Sequence, residues 1–258
     1  MPIHPTALVD PDADISPEAE IGPYCLIGSG VTIGARTRLI AHVYLEGKLT
    51  IGQDNIFYPY CSCGVTPQDK KYKGEPSETR IGDRNSIREF VTINRGTEGG
   101  GMITSIGDGN LLMAYVHVAH DVIIHNHTIL ANGVTFAGHV IVEDYANIGG
   151  LSAIHQFCRI GRHAMIGSYS VIKQNVLPYS ITASDHAVEV YGANRVGLER
   201  SGYPSDAIEM LQNALRLLTR SGLNTTQAIT RIEEEIPQTP ELKQLLDFIR
   251  NSHRGFIK

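Results

Sequence analysis

Stepping along this chain six residues at a time meets a bulky apolar side chain at every step over long stretches. The series runs Ile3, Val9, Ile15, Ile21, Ile27, Ile33, Leu39, Leu45, Ile51 and Phe57. It breaks at Cys63 and resumes in the same frame at Ile81, Ile87 and Ile93. It breaks again at "GGGMITS", restarts one residue out of frame at Ile106, and continues through Leu112 and Val118 to Ile172. All 25 steps are apolar in a chain that is only 42% apolar. The fifth place of a hexad is usually small or β-branched, as at Ala19, Cys25, Val31, Val116 and Cys158, and the second place is often Gly, as at Gly22, Gly52 and Gly82. Six residues make one short strand and its corner, with the bulky aliphatics inside. Gly or Asn is expected where a bend needs a positive φ.

Hexapeptide repeats of this kind read as a parallel β-helix. If three hexads form one coil, residues 18 apart stack at about 4.8 Å, and the repeats give about eight coils, a prism roughly 38 Å long. A stacked coil admits insertions only at corners, so residues 63–80 and 99–105 are expected as ejected loops. After Pro178 the period is lost. We expect the β-helix over 1–183, an irregular linker over 184–204, and an α-helical domain over 205–258. Ser205 is expected to cap a helix carrying Ile208, Leu211, Leu215 and Leu218, which ends near Gly222. Asn224 and Gln227 suit the start of a second helix, halted by Pro237. Thr239-Pro240 suits the start of a third, with Leu242, Leu245, Leu246 and Ile249 on its apolar face.

The formal charge of −5 gives no reason to expect nucleic-acid binding. No apolar run is long enough for a membrane span, and "MPIHPTALVDPDADISPEAE" has no signal-peptide pattern. Four cysteines are too few for a disulfide framework. A cytoplasmic location fits. Cys25, Cys61 and Cys158 occupy small inward places and read as core.

Seven of the eleven histidines fall between 117 and 163. In "YVHVAHD", His117 is sixth in its hexad and His120 third, so neither takes an inward place. Stacking by 18 puts Gly138 one coil above His120, Gln156 two coils above, and His139 over Asp121. A histidine beside a carboxylate, with a glycine N–H overhead, has the composition of a general base, its orienter and an oxyanion donor.

The motifs "QDKKYKGEP", "IGDRNSIRE", "TINRGT", "NLLMAYVHVAHD", "LAN", "AGHV" and "HQFCRIG", in that order, resemble the UDP-N-acetylglucosamine O-acyltransferases. The resemblance covers nearly the whole chain, including "GLERSGYPSDAI" and the terminal "RGFIK". It implies a left-handed coil and a homotrimer. It also implies transfer of a 3-hydroxyacyl group from acyl carrier protein to the 3-position of UDP-N-acetylglucosamine, the first step of lipid A synthesis, without cofactor or metal. His120 would be the general base. Asp121 would orient it, and the Gly138 N–H would hold the oxyanion. His117 would contact the sugar, and His139 would lie near the acyl hydroxyl. Gln68, Asp69 and Lys71 would position sugar and donor. His155, Gln156, Asn194 and Arg200 would serve the nucleotide end. The residue matching Ser168 sets acyl length in the family: glycine admits long chains and bulk shortens them, so Ser168 leaves the length open. Arg159, Arg162 and Lys173 are candidate docking residues for an acidic carrier protein.

The chain departs from the family pattern at Asn94, where histidine is common, and at Arg200-Ser201, where a basic pair is usual. The segment 184–195 is one residue longer. Family variants use a 3-amine, so the acceptor atom stays open between hydroxyl and amine. Three other readings compete. A hexapeptide N-acyltransferase of the same pathway would share the base but lack the 54-residue helical tail. A γ-class carbonic anhydrase would hold zinc through three histidines, with His120 and His125 as two of them. A non-catalytic trimer would only bind the carrier protein.

Overall fold

A computed structural model describes residues 3–184 and 187–258; the expected linker residues 185 and 186 lie outside the described residues. The chain winds as a left-handed parallel β-helix of three sheets, with nine, eight and ten strands. The first sheet contains His117–Val118, the second Ile123–Ile124 and the third Ile129–Leu130. Register follows the expected spacing of 18, as in Leu8↔Leu26, His117↔Thr135 and Thr135↔Ala153. Across the two interruptions it widens, Ser62 pairing with Thr92 and Thr92 with His117. The first insertion therefore spans two hexads and preserves the frame, while the second is one residue longer than a hexad and shifts it. The first loop is shorter than expected, confined to 66–77, and the second lies between Asn94 and Ile103 rather than at 99–105. Ser62–Val65, Glu78–Ile81 and Ile103–Ile106 are four-residue strands that keep pairing up to the loop ends.

The hexad aliphatics fill the prism as expected; Phe57, Ile87, Ile93, Leu112, Phe136, Val142 and Ile148 are fully buried. The fifth place is not uniformly apolar. Asn55, Asn85, Asn110 and Thr128 form a buried polar ladder, each side-chain oxygen of the three asparagines accepting from the backbone N–H one coil on, at 2.8–2.9 Å. Every donor inside the prism must be met, and an amide does so where a methyl could not.

The corners correct the expected role of glycine. Positive φ occurs at the fourth place of most hexads, and residues such as Tyr24, Arg36, Tyr60, Tyr115, Asp121, His139 and Phe157 occupy it. The second-place glycines Gly22, Gly52 and Gly82 do not have positive φ. A Cβ on Gly22 would lie 1.9 Å from the Ile40 carbonyl oxygen, and on Gly52 2.8 Å from that of Gly82. Glycine is needed there for close approach of successive coils. The left-handed corners cost about 1–2 kcal/mol each for ordinary residues. Ring stacking recovers about 0.5–1.5 kcal/mol per pair. Tyr24, His42, Tyr60, Phe90 and Tyr115 stack in one column with centroids 4.9–5.0 Å apart.

The segment expected as an irregular linker is structured on both sides of the undescribed pair. Strands Ser180–Ser184 and Val188–Ala193 pair antiparallel and close the third sheet, followed by helix α1, Arg195–Arg200. The sequence signal was masked by Gly192, whose φ of +145° opens the strand to Gln212. Helices α2 (Ser205–Arg220), α3 (Thr225–Glu235) and α4 (Pro240–Arg250) follow. Ser205 is the first helical residue of α2 rather than its cap; Pro204 holds the cap position. Asn224 and Gln227 form the capping box of α3, and Thr239 caps α4 with Pro240 in its first turn.

All four cysteines are free and buried. Burial pushes the Cys61 thiol up to about 12, so it stays protonated and inert.

His163 joins prism and helices. It is 4% exposed, stacks between Tyr145 and Tyr179, and meets Tyr203 edge-on. Burial, helped by Arg162 and opposed by Asp144, pushes its imidazole down to about 4. The unfolded histidine takes up a proton near pH 6.5, while the folded one resists until about 4. Stability is thus fully present above pH 6.5 and falls as pH drops through that window. Denaturant titrations at pH 7 and pH 4.5 should show the loss, and His163→Phe should flatten it; an equal slope in the variant removes His163 as its source.

Candidate active site

The corner between the first and second sheets gathers the candidate residues. Each strand of the first sheet ends there and delivers its next residues, one coil above another: His120 and Asp121, then Gly138 and His139, then Gln156 and Phe157. Asp121, His139 and Phe157 take the left-handed corner position, with φ of 60°, 63° and 65°. His139 stacks on Phe157 at 4.5 Å and meets His120 edge-on at 5.1 Å.

Asp121 has a fully buried side chain, whereas the His120 side chain is 17% exposed. Its Oδ1 accepts from the Thr97 N–H at 2.8 Å, and its Oδ2 accepts from the Thr97 hydroxyl at 2.5 Å. His120 Nδ1 lies 2.8 Å from the same Oδ2. A carboxylate held by donors is an obligatory acceptor, so His120 carries its proton on Nδ1 and leaves Nε2 as the basic nitrogen. The loop after "TINRGT" is cut to fit this carboxylate: a Cβ on Gly100 would lie 1.9 Å from Asp121 Cγ. Thr97 and Gly100 were not singled out in the sequence, although "NRGTEGGG" contains both.

Gly138 lies directly against the imidazole. A Cβ there would stand 2.5 Å from His120 Cε1 and 2.8 Å from Nε2. The expected meeting of residues 120 and 138 is present, and the glycine makes room for the ring.

Two clefts flank these rings. One, of about 530 Å³, is lined by Gln68, Asn94, His117, His120, Gly138, His155, Gln156 and Lys173, with Ala119, Ala137 and Ala153 on the sheet face. The other, of about 570 Å³, lies under the ejected loop and includes Asp69, Lys71, His139 and Phe157. His117 Nδ1 lies 2.7 Å from the Thr92 hydroxyl, and burial pushes this imidazole down. Burial also pushes His139 down, against the pull of Asp121. Asn94 is buried; its Nδ2 donates to the Thr66 carbonyl, and its Oδ1 has no partner among the described residues.

Three expected site residues lie elsewhere on a single chain. Ser168 is exposed on the corner from the third sheet to the first. Asn194 caps α1, accepting from the Gly197 N–H and donating to the His163 carbonyl. Arg200 is exposed at the end of α1. Two expected docking residues are already engaged: Arg159 Nε donates to Glu143 at 2.6 Å and Arg162 to Asp144 at 2.7 Å. Lys173 lines the first cleft.

His120, Asp121 and His139 bring nitrogen and oxygen atoms within 4.8 Å of one another. Both Asp121 oxygens are occupied by Thr97 and His120, which suits a hydrogen-bonded base better than a cation. His125 follows Ile123–Ile124 and so lies beyond the second sheet, on another corner from His120. Within this chain His120 and His125 do not come together as two ligands of one zinc.

The sequence matches a family described as "Udp N-acetylglucosamine O-acyltransferase; Domain 2" over residues 175–257, and bacterial transferase hexapeptide repeats over 103–138. Solved structures match along the full chain. LpxA from Acinetobacter baumannii is 43% identical, with 99% of each chain covered and a TM-score of 0.95. UDP-N-acetylglucosamine O-acyltransferase from Moraxella catarrhalis is 42% identical, with both chains fully covered and a TM-score of 0.96. The UDP-N-acetylglucosamine acyltransferase of Bacteroides fragilis is 42% identical, with 99% and 100% covered and a TM-score of 0.97.

Proposed function

Because this chain belongs to the UDP-N-acetylglucosamine acyltransferase family, we propose that it moves a 3-hydroxyacyl chain from acyl carrier protein to the 3-position of UDP-N-acetylglucosamine, opening lipid A synthesis. That it is an acyltransferase follows from the family itself. The observation that carries the mechanism is the His120–Asp121 contact at 2.8 Å beside Gly138. His120 Nε2 takes the proton of the acceptor group as that group attacks the thioester carbonyl. The new bond forms to the acyl carbon, the carbonyl becomes an oxyanion facing the Gly138 N–H, and the thiolate leaves. Asp121 keeps the imidazole in the productive tautomer and stabilises the imidazolium. Asn94 Oδ1, without a partner among the described residues, needs a donor, which a hydroxyl, amine or amide of the sugar supplies.

We further propose a homotrimer working in the cytoplasm. In one chain Ser168 and Arg200 stand away from the His120 cleft, and a neighbouring subunit would bring them to it. The exposed column Tyr24, Tyr60, Phe90 and Tyr115, with Leu151 and Tyr169 on the same corner, is an apolar edge suited to such a contact. No described helix is long and apolar enough to cross a membrane.

The test is mass spectrometry of the product made from UDP-N-acetylglucosamine and acyl carrier proteins loaded with 3-hydroxyacyl chains of several lengths, with light scattering on the same preparation. One added 3-hydroxyacyl group and a particle of three chains are expected. No acylated nucleotide sugar with any chain length would overturn the activity, and a monomer would overturn the assembly.

A further inference from the structure

The last residues of the chain return to the prism. Asn175 N–H donates to the Gly255 carbonyl at 3.2 Å, and the Ile257 N–H donates to the Asn175 carbonyl at 2.9 Å. Ile257 is buried, which anchors the tail. The turn at Gly255 has φ +73°. Immediately before it, Arg254 Nε donates to the Lys173 carbonyl at 2.9 Å, and Nη2 lies 2.8 Å from His155 Nδ1. His155 and Lys173 both line the first cleft.

His155 Nδ1 has two neighbours with opposite demands. The Gln156 carbonyl oxygen, at 3.2 Å, would need Nδ1 to carry a proton. The Arg254 guanidinium, at 2.8 Å, can only donate and never loses its charge. A protonated Nδ1 would put two donors and, in an imidazolium, two positive charges at hydrogen-bond distance. The charge-assisted bond is the shorter and the stronger. Nδ1 must therefore accept, and the ring proton must sit on Nε2.

We propose that Arg254 is a positioning residue: it locks His155 as the neutral Nε2–H tautomer, so that the cleft presents a fixed hydrogen-bond donor to an oxygen of the bound nucleotide. The cleft then has a built polarity, with an acceptor at Asn94 Oδ1 and a donor at His155 Nε2. It also gives the terminal segment a task beyond covering the last coil. That the oxygen belongs to a nucleotide sugar rests on the function proposed above; the tautomer does not.

Two measurements on the full-length protein test it. Nitrogen-detected NMR of the ligand-free protein at pH 7, assigned with His155→Gln, should show a pyridine-like Nδ1 and a pyrrole-like Nε2 for His155. Arg254→Ala should lose that signature. In acyl-transfer assays, Arg254→Ala should raise the KM for UDP-N-acetylglucosamine about tenfold with kcat within about twofold, the size of one lost hydrogen bond. Arg254→Lys, which keeps a charged donor, should restore most of it. In a His155→Ala background, Arg254→Ala should add less than about twofold, because the arginine acts through the ring. A wild-type His155 protonated on Nδ1 overturns the proposal, as does a full additional loss in the double variant. A wild type that transfers no acyl group would sink the function, while the NMR result still decides the tautomer.

Discussion

Gly138→Ala is expected to lower kcat by about 10²–10⁴, as much as His120→Ala, while leaving the fold intact. Gly138 does not have positive φ, so alanine fits its backbone. The obstacle is the methyl group, 2.5 Å from His120 Cε1 and 2.8 Å from Nε2. No carbon can stand there beside an imidazole, and the ring is the softer partner. It can swing toward the open cleft, breaking the 2.8 Å contact with Asp121 and moving Nε2 away from the acceptor. An unfolding midpoint within about 2 °C of wild type would show that the prism tolerates the methyl. Single-turnover rates measure the chemical step. If Gly138→Ala acts by displacing the base, adding His120→Ala to it should cost little more. A Gly138→Ala enzyme within tenfold of wild type would show that the ring does not need this space.

Much of the architecture could be read from the chain because a β-helix repeats one local decision many times. The first-place aliphatics imply the prism, and the spacing of 18 alone sets His120 beneath Gly138. What stayed hidden depends on contacts between coils that are not at that spacing. The partners of Asp121 come from Thr97, across the second insertion, where register slips to 25 residues. Arg254 reaches His155 from 99 positions away. The glycines misled for a physical reason: glycine is usually chosen for positive φ, but here Gly52 answers to a carbonyl of the next coil. Ser168 and Arg200 could be named from the family resemblance, but on a single chain both are exposed and neither lines the His120 cleft.

Asp121→Asn is expected to fold normally and lose about 10³–10⁴ in kcat, through the tautomer it imposes. The Thr97 N–H, 2.8 Å from Oδ1, can only donate, so the amide oxygen must take the Oδ1 place. The amide nitrogen then takes the Oδ2 place, 2.8 Å from His120 Nδ1. The Thr97 hydroxyl adapts, because it can accept from an N–H as readily as it donates to a carboxylate. His120 Nδ1 adapts only by giving up its proton. The ring then carries that proton on Nε2, the atom that has to remove one from the acceptor. Every hydrogen bond in the buried cluster is satisfied, so stability should change little, and the affinity for the nucleotide sugar should be kept. Asp121→Ala serves as the contrast: it strands both Thr97 donors and frees the imidazole, and should cost stability, about 1–3 kcal/mol for a buried unsatisfied group. Calorimetric binding, thermal unfolding and single-turnover rates on the two variants separate these outcomes. An asparagine enzyme retaining more than a tenth of the wild-type rate would mean that His120 does not work from the tautomer Asp121 selects.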